Sequence, residues 1–219
     1  MRRLLLLLPL MASLGACIDM PKAPQHQRLQ QSTMVFSPRP EARQCLASLG
    51  ATRATFTPLP DQYYGAGCSR HNAVQLSSLS SDDGDFGVTN LGVVSCPLAD
   101  TFAAWARFGV DRAARQMLGS ELVRIETMGS YNCRNVAGTE RLSAHATANA
   151  IDVSGFVLAD GRRITLTGNW RNGTLAERRF LRVIYASACK RFGTVLGPDY
   201  NPAHYNHLHL ERSTREFCG

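Results

Sequence analysis

The chain has 219 residues, of which 44% are apolar and 19% charged, and it carries a formal charge of +7. That length suits one domain with a sizeable core behind a leader and tether. The positive balance suits an anionic partner such as cell-wall polymer or lipid headgroups, and it argues against nucleic acid, because no Lys/Arg cluster is interleaved with aromatics.

Taken in order, Arg2 and Arg3 precede an apolar run, Leu4 to Leu10, and small residues then lead to Leu14-Gly15-Ala16 before Cys17. This reads as a secretory signal over residues 1–16, too short to span a bilayer as a stable helix. A cysteine directly after Leu-Gly-Ala resembles a bacterial lipobox, which makes Cys17 the lipidated first residue of the mature chain. The plainer reading is an ordinary signal peptide that leaves Cys17 a free thiol. Ile18 is not the acidic type that signals inner-membrane retention, so the expectation is a periplasmic lipoprotein, anchored by preference in the outer membrane. Loss of the leader removes two of the 24 basic residues and none of the 17 acidic ones, leaving +5. Residues 17–40 are rich in Pro, Gln, Lys and Arg and read as a flexible tether, with residues 41–219 as the domain. No internal repeat is visible.

From Cys45 to Cys68 the Thr, Pro and Gly punctuation predicts a short helix and then loop. Ala73-Val-Gln-Leu-Ser77 and Gly92-Val-Val-Ser95 are strand candidates around a polar turn region at 80–85. Pro97 suits a first helical turn, and Leu98, Phe102, Trp105 and Ala106 follow at helical spacing, predicting a helix over 97–117 that Gly109 weakens. Its aromatics are core residues in this reading. Leu122 to Met128 alternates as a half-buried strand running toward Tyr131-Asn-Cys133-Arg134. Ala150 to Leu158 and Arg163 to Leu166 flank Ala159-Asp160-Gly161, a hairpin signal. A second helix spans 174–192, and Tyr205 to Glu211 is the last strand candidate. The expected fold class is α+β, an antiparallel sheet flanked by helices and stapled by disulfides.

Without Cys17 the cysteines number six: Cys45, Cys68, Cys96, Cys133, Cys189 and Cys218. An even set in an exported chain reads as disulfides. Local closure favours Cys45–Cys68, Cys96–Cys133 and Cys189–Cys218, among many formally open pairings. A Cys-rich zinc site is the rival, but no CxxC pair occurs.

Four of the six histidines fall in two stretches, Arg141-Leu-Ser143-Ala-His145-Ala-Thr-Ala148-Asn-Ala-Ile-Asp152 and His204-Tyr-Asn206-His207-Leu-His209. Imidazole and carboxylate are the ligand types that borderline divalent ions such as zinc prefer. Residues two apart on a strand share a face, so His207 and His209 point together while Leu208 turns to the core. The same rule groups Ala150, Asp152 and Ser154. If the two strands are neighbours, Asp152 and His209 meet, and His145 reaches them from the preceding loop. Two histidines and one aspartate leave a fourth zinc position to water, whose pKa then falls to about 7.

These residues carry a resemblance. Ser143-x-His145-x-x-x-x-Ala150-x-Asp152 resembles the Ser-x-His-x-x-Gly-x-Ala-x-Asp motif of zinc D-Ala-D-Ala metallopeptidases, which share a fold with lysostaphin-type peptidases and the hedgehog signalling domain. With Ser-Tyr131-Asn-Cys-Arg134, Leu196-Gly-Pro198-Asp-Tyr200 and the six cysteines, residues 45–218 are more similar still to the bacterial extensin-like C-terminal domain family. The resemblance implies a hedgehog/DD-peptidase-like fold, a Zn2+ cofactor, and peptidoglycan peptides as substrate. His145, Asp152 and His209 match the metal ligands. His207 would orient water or act as base, with His204 beside it. Relatives place a Glu base where this chain has Asn206, and His204-x-x-His207-x-His209 is similar instead to the murein endopeptidase branch. Arg134 resembles the arginine that stabilises the oxyanion. Ala148 stands where the motif has Gly, which implies a differently shaped loop.

Plainer readings sit beside these. Any one histidine is more often structural than a ligand, and an Arg beside a cystine is often a surface partner of an acid. Ser143 could be a nucleophile, but a hydrogen bond near Asp152 suits it better. Glu211 reads as a solvated strand end, and His26 and His71 as exposed residues without a signal. Two functions remain: a zinc peptidase of peptidoglycan, or a metal-bearing lipoprotein module that binds cell wall without cleaving it.

Overall fold

A computed structural model describes residues 39–219. The expected signal peptide, the lipidation of Cys17, the tether up to that point and His26 lie outside the described residues. The elements are α1 (Pro40–Ala51), β1 (Thr55–Leu59), β2 (Gln62–Gly65), β3 (Cys68–Arg70), β4 (Ala73–Ser80), β5 (Asp85–Thr89) and β6 (Val93–Ser95). There follow α2 (Cys96–Trp105), α3 (Arg112–Leu118), β7 (Leu122–Gly129), β8 (Ala150–Leu158), β9 (Arg163–Thr165) and α4 (Leu166–Asn172). α5 (Leu175–Cys189), β10 (Thr194–Leu196), β11 (Leu208–Glu211) and β12 (Phe217–Cys218) complete the chain.

Ten strands form one sheet along the path β1-β4-β5-β7-β8-β11-β10-β12, with β6 on β4 and β9 on β8. β2 and β3 form a separate hairpin. The sheet is mixed, which corrects the all-antiparallel expectation: β5 pairs parallel with β7, and β10 with β12. A parallel pair needs a crossover, and α2 and α3 supply it between β5 and β7.

The expected helix over 97–117 is present as α2 and α3 joined by a π-helical stretch, Ala106–Asp111, around Gly109. A Cβ on Gly109 would lie 2.6 Å from Ser187 Oγ and 3.0 Å from the Trp105 ring, so the glycine lets α5 approach closely. α5 starts sharply because Thr174 and Glu177 cap each other: the Thr174 N–H donates to Glu177 Oε2 at 2.8 Å, and the Glu177 N–H to Thr174 Oγ1 at 3.3 Å. Leu166 begins α4 where a strand end was expected, since Thr165 Oγ1 accepts from the Gly168 N–H and caps a helix. The expected loop before Cys68 contains β1, whose Pro58 is tolerated because β1 is an edge strand.

The core gathers on one face of the sheet. Trp105 is fully buried, contacts Phe102, Phe156 and Phe192 at ring separations of 5.8, 6.4 and 6.1 Å, and donates its indole N–H to the Ile184 carbonyl at 3.0 Å. Phe180 of α5 meets Phe156 of β8 edge-on at 5.6 Å. Each such buried ring contributes about 2 kcal/mol by removal of apolar surface from water.

The disulfides are Cys45–Cys96, Cys68–Cys133 and Cys189–Cys218. The third matches expectation; the expected Cys45–Cys68 and Cys96–Cys133 pairs are replaced. Doubling a loop's length adds only about 0.6 kcal/mol of closure cost, so packing decides the partner. α1 packs on α2, which puts Cys45 at Cys96, and the β2–β3 hairpin brings Cys68 to the loop after β7.

Replacing both Cys68→Ala and Cys133→Ala releases a closure of 65 residues, which should cost about 4 kcal/mol. Thermal unfolding should show a Tm lower by about 10 °C. A non-reducing peptide map that links Cys68 to Cys45 would contradict this topology.

Candidate metal centre

β8 and β11 pair antiparallel with His209 directly opposite Asp152 and Leu208 opposite Val153. Strand alternation turns Ile151, Val153, Leu208 and Leu210 into the core, where all four are fully buried. It therefore turns Asp152, His207 and His209 to the opposite face, away from the aromatic core. A bulge ends this phase. Glu126 pairs with Gly155 and Thr127 with Val153, so Ser154 is left unpaired. Its hydroxyl donates to the Glu126 carbonyl at 3.2 Å, and Phe156 and Leu158 take over the buried positions. The period that groups Ser154 with Asp152 in the sequence is thus broken one residue beyond Val153.

His145 arrives on a short 3-10 turn, Ala144–Thr147. Ser143 caps it, its Oγ accepting from the His145 N–H at 3.3 Å. Ser143 thus bonds to the backbone of His145 at the start of the turn. The turn closes at Ala148, which is buried in the left-handed region at φ 54°. Such a conformation costs a non-glycine residue about 1 kcal/mol. Two bonds hold it: the Ala148 N–H donates to the His145 carbonyl at 3.1 Å, and the Ala148 carbonyl accepts from the Ser95 N–H at 2.8 Å. The backbone thereby keeps a shape that glycine adopts most readily, with alanine in its place.

His145 Nδ1 lies 2.5 Å from the Ser130 carbonyl. A carbonyl only accepts, so Nδ1 carries the proton and Nε2 presents its lone pair. That Nε2 lies 3.2 Å from Asp152 Oδ2 and 3.3 Å from His209 Nδ1. His209 Nδ1 lies 2.9 Å from Asp152 Oδ1, while its Nε2 lies 3.4 Å from Glu211 Oε2. One ligand atom from each of His145, Asp152 and His209 lies within 4.8 Å of the others. Two imidazoles and a carboxylate converging this closely fit a divalent cation of the borderline class.

Burial disfavours charge on both Asp152 and His209, but their mutual hydrogen bonding wins. Asp152, bonded also to His145, is held far below the usual carboxylate range, and His209, bonded also to Glu211, is pushed up to about 9. His204 falls to about 4 through burial and the nearby His207 and His209, and burial likewise lowers His207 although Asp152 opposes it. His207 Nδ1 lies 2.9 Å from Asn206 Oδ1 and His204 Nδ1 lies 2.7 Å from Asn201 Oδ1. Each amide oxygen takes an Nδ1–H and leaves Nε2 free; that of His207 lies 3.5 Å from Asp152 Oδ1.

The group opens into a cavity of about 650 Å³ whose walls include Arg134, Arg141, Arg215, Tyr200 and His204. Arg134 is exposed there, its Nη1 donating to the Asn135 carbonyl at 3.4 Å. Glu211 is no free strand end: it lines the cavity against the His209 ring, as the two-residue strand period from His207 and His209 would have indicated. Arg141 and Arg215 carried no motif that could have singled them out. His71 is exposed beside Asp61 at 3.7 Å and takes no part.

A proton on His209 competes with a metal for Nδ1. Because the free protein keeps that proton below about 9, Zn2+ or Co2+ affinity should rise about tenfold per pH unit through neutrality and level off near that value. Glu211→Gln removes one of the partners that raise His209, so the levelling should move to lower pH. Competition titration with a chromophoric chelator measures both, and a flat profile from pH 6 to 9 would contradict the assignment.

A model of the family described as extensin-like protein C-terminus matches residues 43–219. No curated protein and no solved structure matches the chain.

Proposed function

The chain belongs to the extensin-like protein C-terminus family, and from that premise we propose that it is a zinc peptidase that hydrolyses an amide bond of peptidoglycan peptides. The observation that carries this reading is the convergence of His145, Asp152 and His209 at the floor of a cavity that also presents His207 and Arg134. A purely structural zinc is usually closed by four protein ligands, whereas three ligands beside a spare base and a cation suit catalysis. The order of Ser143, His145, Asp152, His207 and His209 supports kinship with zinc D-Ala-D-Ala metallopeptidases and the hedgehog/DD-peptidase fold.

Zinc bound by His145 Nε2, Asp152 and His209 Nδ1 would supply a Lewis acid that polarises a carbonyl and acidifies water. The residues supply the rest. His207, oriented by Asn206, takes a proton from the attacking water through Nε2 and returns it to the leaving amine, so that water and amide become acid and amine. Arg134 donates hydrogen bonds to the oxygen that gains negative charge. Arg141 and Arg215 add positive charge along the walls, which suits peptides bearing free carboxylates. The leader and Cys17 support placing this domain in the periplasm on a lipid anchor.

One feature favours a second reading, a zinc-containing module that binds cell wall without cutting it. Asn206 occupies the place of a glutamate base, and an amide cannot transfer protons.

Digestion of purified sacculi separates the two. The protein should carry about one zinc per chain and release muropeptides that vanish with chelator. His207→Ala should slow release by about 100- to 10,000-fold while zinc content holds, whereas His145→Ala should lose zinc as well. Zinc-loaded protein that binds sacculi and releases nothing would leave the binding module as the answer.

A further inference from the structure

The β2–β3 hairpin stands outside the large sheet, yet it is fastened to the wall of the cavity. Cys68 bonds to Cys133, the neighbour of Arg134. At its tip Gly65, Ala66 and Gly67 all take positive φ, of 91°, 49° and 82°. A Cβ on Gly67 would fall on Leu142 Cδ1, so the tip is fitted to the segment that leads into His145.

This hairpin presents a mixed aromatic and polar surface that the core does not use. Arg70 pairs with Gln62 across the hairpin, and Tyr64, unpaired at a bulge in β2, turns its hydroxyl to the Gln62 side chain. Tyr131 joins them from the loop after β7. The Tyr64 and Tyr131 rings are 5.3 Å apart and tilted by 37°, and the Arg70 guanidinium lies 5.6 Å from the Tyr64 ring centre. Gln62 Oε1 accepts from the Tyr64 hydroxyl at 2.9 Å and from Arg70 Nη2. Tyr64 is 44% exposed, and Arg70 Nε is buried with no hydrogen-bond partner.

The chemistry of this patch selects its ligand. It contains no aliphatic side chain, so it offers little to an apolar helix, and with one cation it offers little to a polyanion. Two inclined phenol rings rimmed by an amide and a guanidinium offer apolar faces beside planar hydrogen-bonding groups. A pyranose ring has the complement, a face of C–H bonds edged by hydroxyl and acetamido groups. We infer that Gln62, Tyr64, Arg70 and Tyr131 form a sugar-binding platform that seats the glycan of a glycan-linked peptide beside the cavity.

Its position supports that occupant. Tyr131 lies between Ser130, whose carbonyl accepts from His145 Nδ1, and Asn132, whose N–H donates to the His145 carbonyl at 3.0 Å. Arg134 is three residues further, at most about 11 Å of chain. A sugar on Tyr131 and an amide bond in the cavity would be bridged by a few residues of stem peptide. The peptide half of this substrate rests on the proposed function; the sugar half does not.

The test separates the two. The full protein is titrated calorimetrically with a peptide-free oligomer of β-1,4-linked N-acetylglucosamine, and the wild type should bind it. Tyr64→Ala should weaken binding by at least about tenfold, while Tyr64→Phe keeps most of it. Gln62→Ala, also on the surface, should weaken it too, with the Tm of each variant confirming the fold. On intact sacculi against a free stem peptide, Tyr64→Ala should lower the ratio of the two hydrolysis rates. Absence of oligomer binding by the wild type, or equal affinity in Tyr64→Ala, overturns the platform. Tyr64-dependent binding by a protein that cleaves neither substrate upholds the platform and removes the peptidase reading.

Discussion

The cross-strand pair of Asp152 and His209 is the interaction on which the rest of the site depends. Asp152 is only 14% exposed in its side chain, and an unpaired carboxylate there would cost several kcal/mol. It is tolerated because His145, His207 and His209 all bring a ring nitrogen within 3.5 Å of its oxygens. Its bonds to Asp152 and Glu211 favour a proton on His209 despite the burial. The same donor set could hold a divalent cation in place of that proton.

The fold keeps this pair in register by dividing labour between the two faces of the sheet. Leu208, Leu210, Ile151 and Val153 anchor β8 and β11 in the core, so neither strand can slip without exposing all four. A shift of one residue would also bury the acid and expose the leucines. The bulge at Ser154 confines the polar face to the first residues of β8, where the loops converge. Those loops are in turn tied down. Cys68–Cys133 steadies the segment before Arg134, and Cys189–Cys218 holds β12, whose Phe217 packs against Tyr200 at 5.6 Å. Tyr200 then packs against His204 at the same separation. Covalent bonds distant from the histidines thus fix the walls in which they sit.

What the sequence made legible follows from which rules are local. Strand alternation alone was enough to bring Asp152 and His209 to one face and to place Leu208 in the core. The same rule reaches Glu211, although a glutamate at a strand end so often faces water. Hairpin signals are equally local, and Ala159-Asp160-Gly161 marks the turn between the antiparallel β8 and β9. Strand order is not local. Nothing in β5 or β7 announces that they run parallel, and a proline in β1 disguised an edge strand as loop. Cysteine pairing failed for a related reason: proximity in sequence is a weak guide once closure cost grows only logarithmically. Arg141 and Arg215 converge only because two loops meet, and no spacing records that.

Asn206 sets the orientation of the base in the proposed chemistry. A glutamate there would add a third carboxylate to Asp152 and Glu211, and acids crowded together raise one another's proton affinity. Here the amide oxygen accepts the Nδ1–H of His207 instead, which fixes that ring with Nε2 toward the centre. In the proposed peptidase, orientation and proton transfer, which one glutamate would combine, would be divided between Asn206 and His207. The division adds no further carboxylate to Asp152 and Glu211, both of which bond to His209. In the proposed peptidase the base would be a neutral ring whose orientation depends on Asn206.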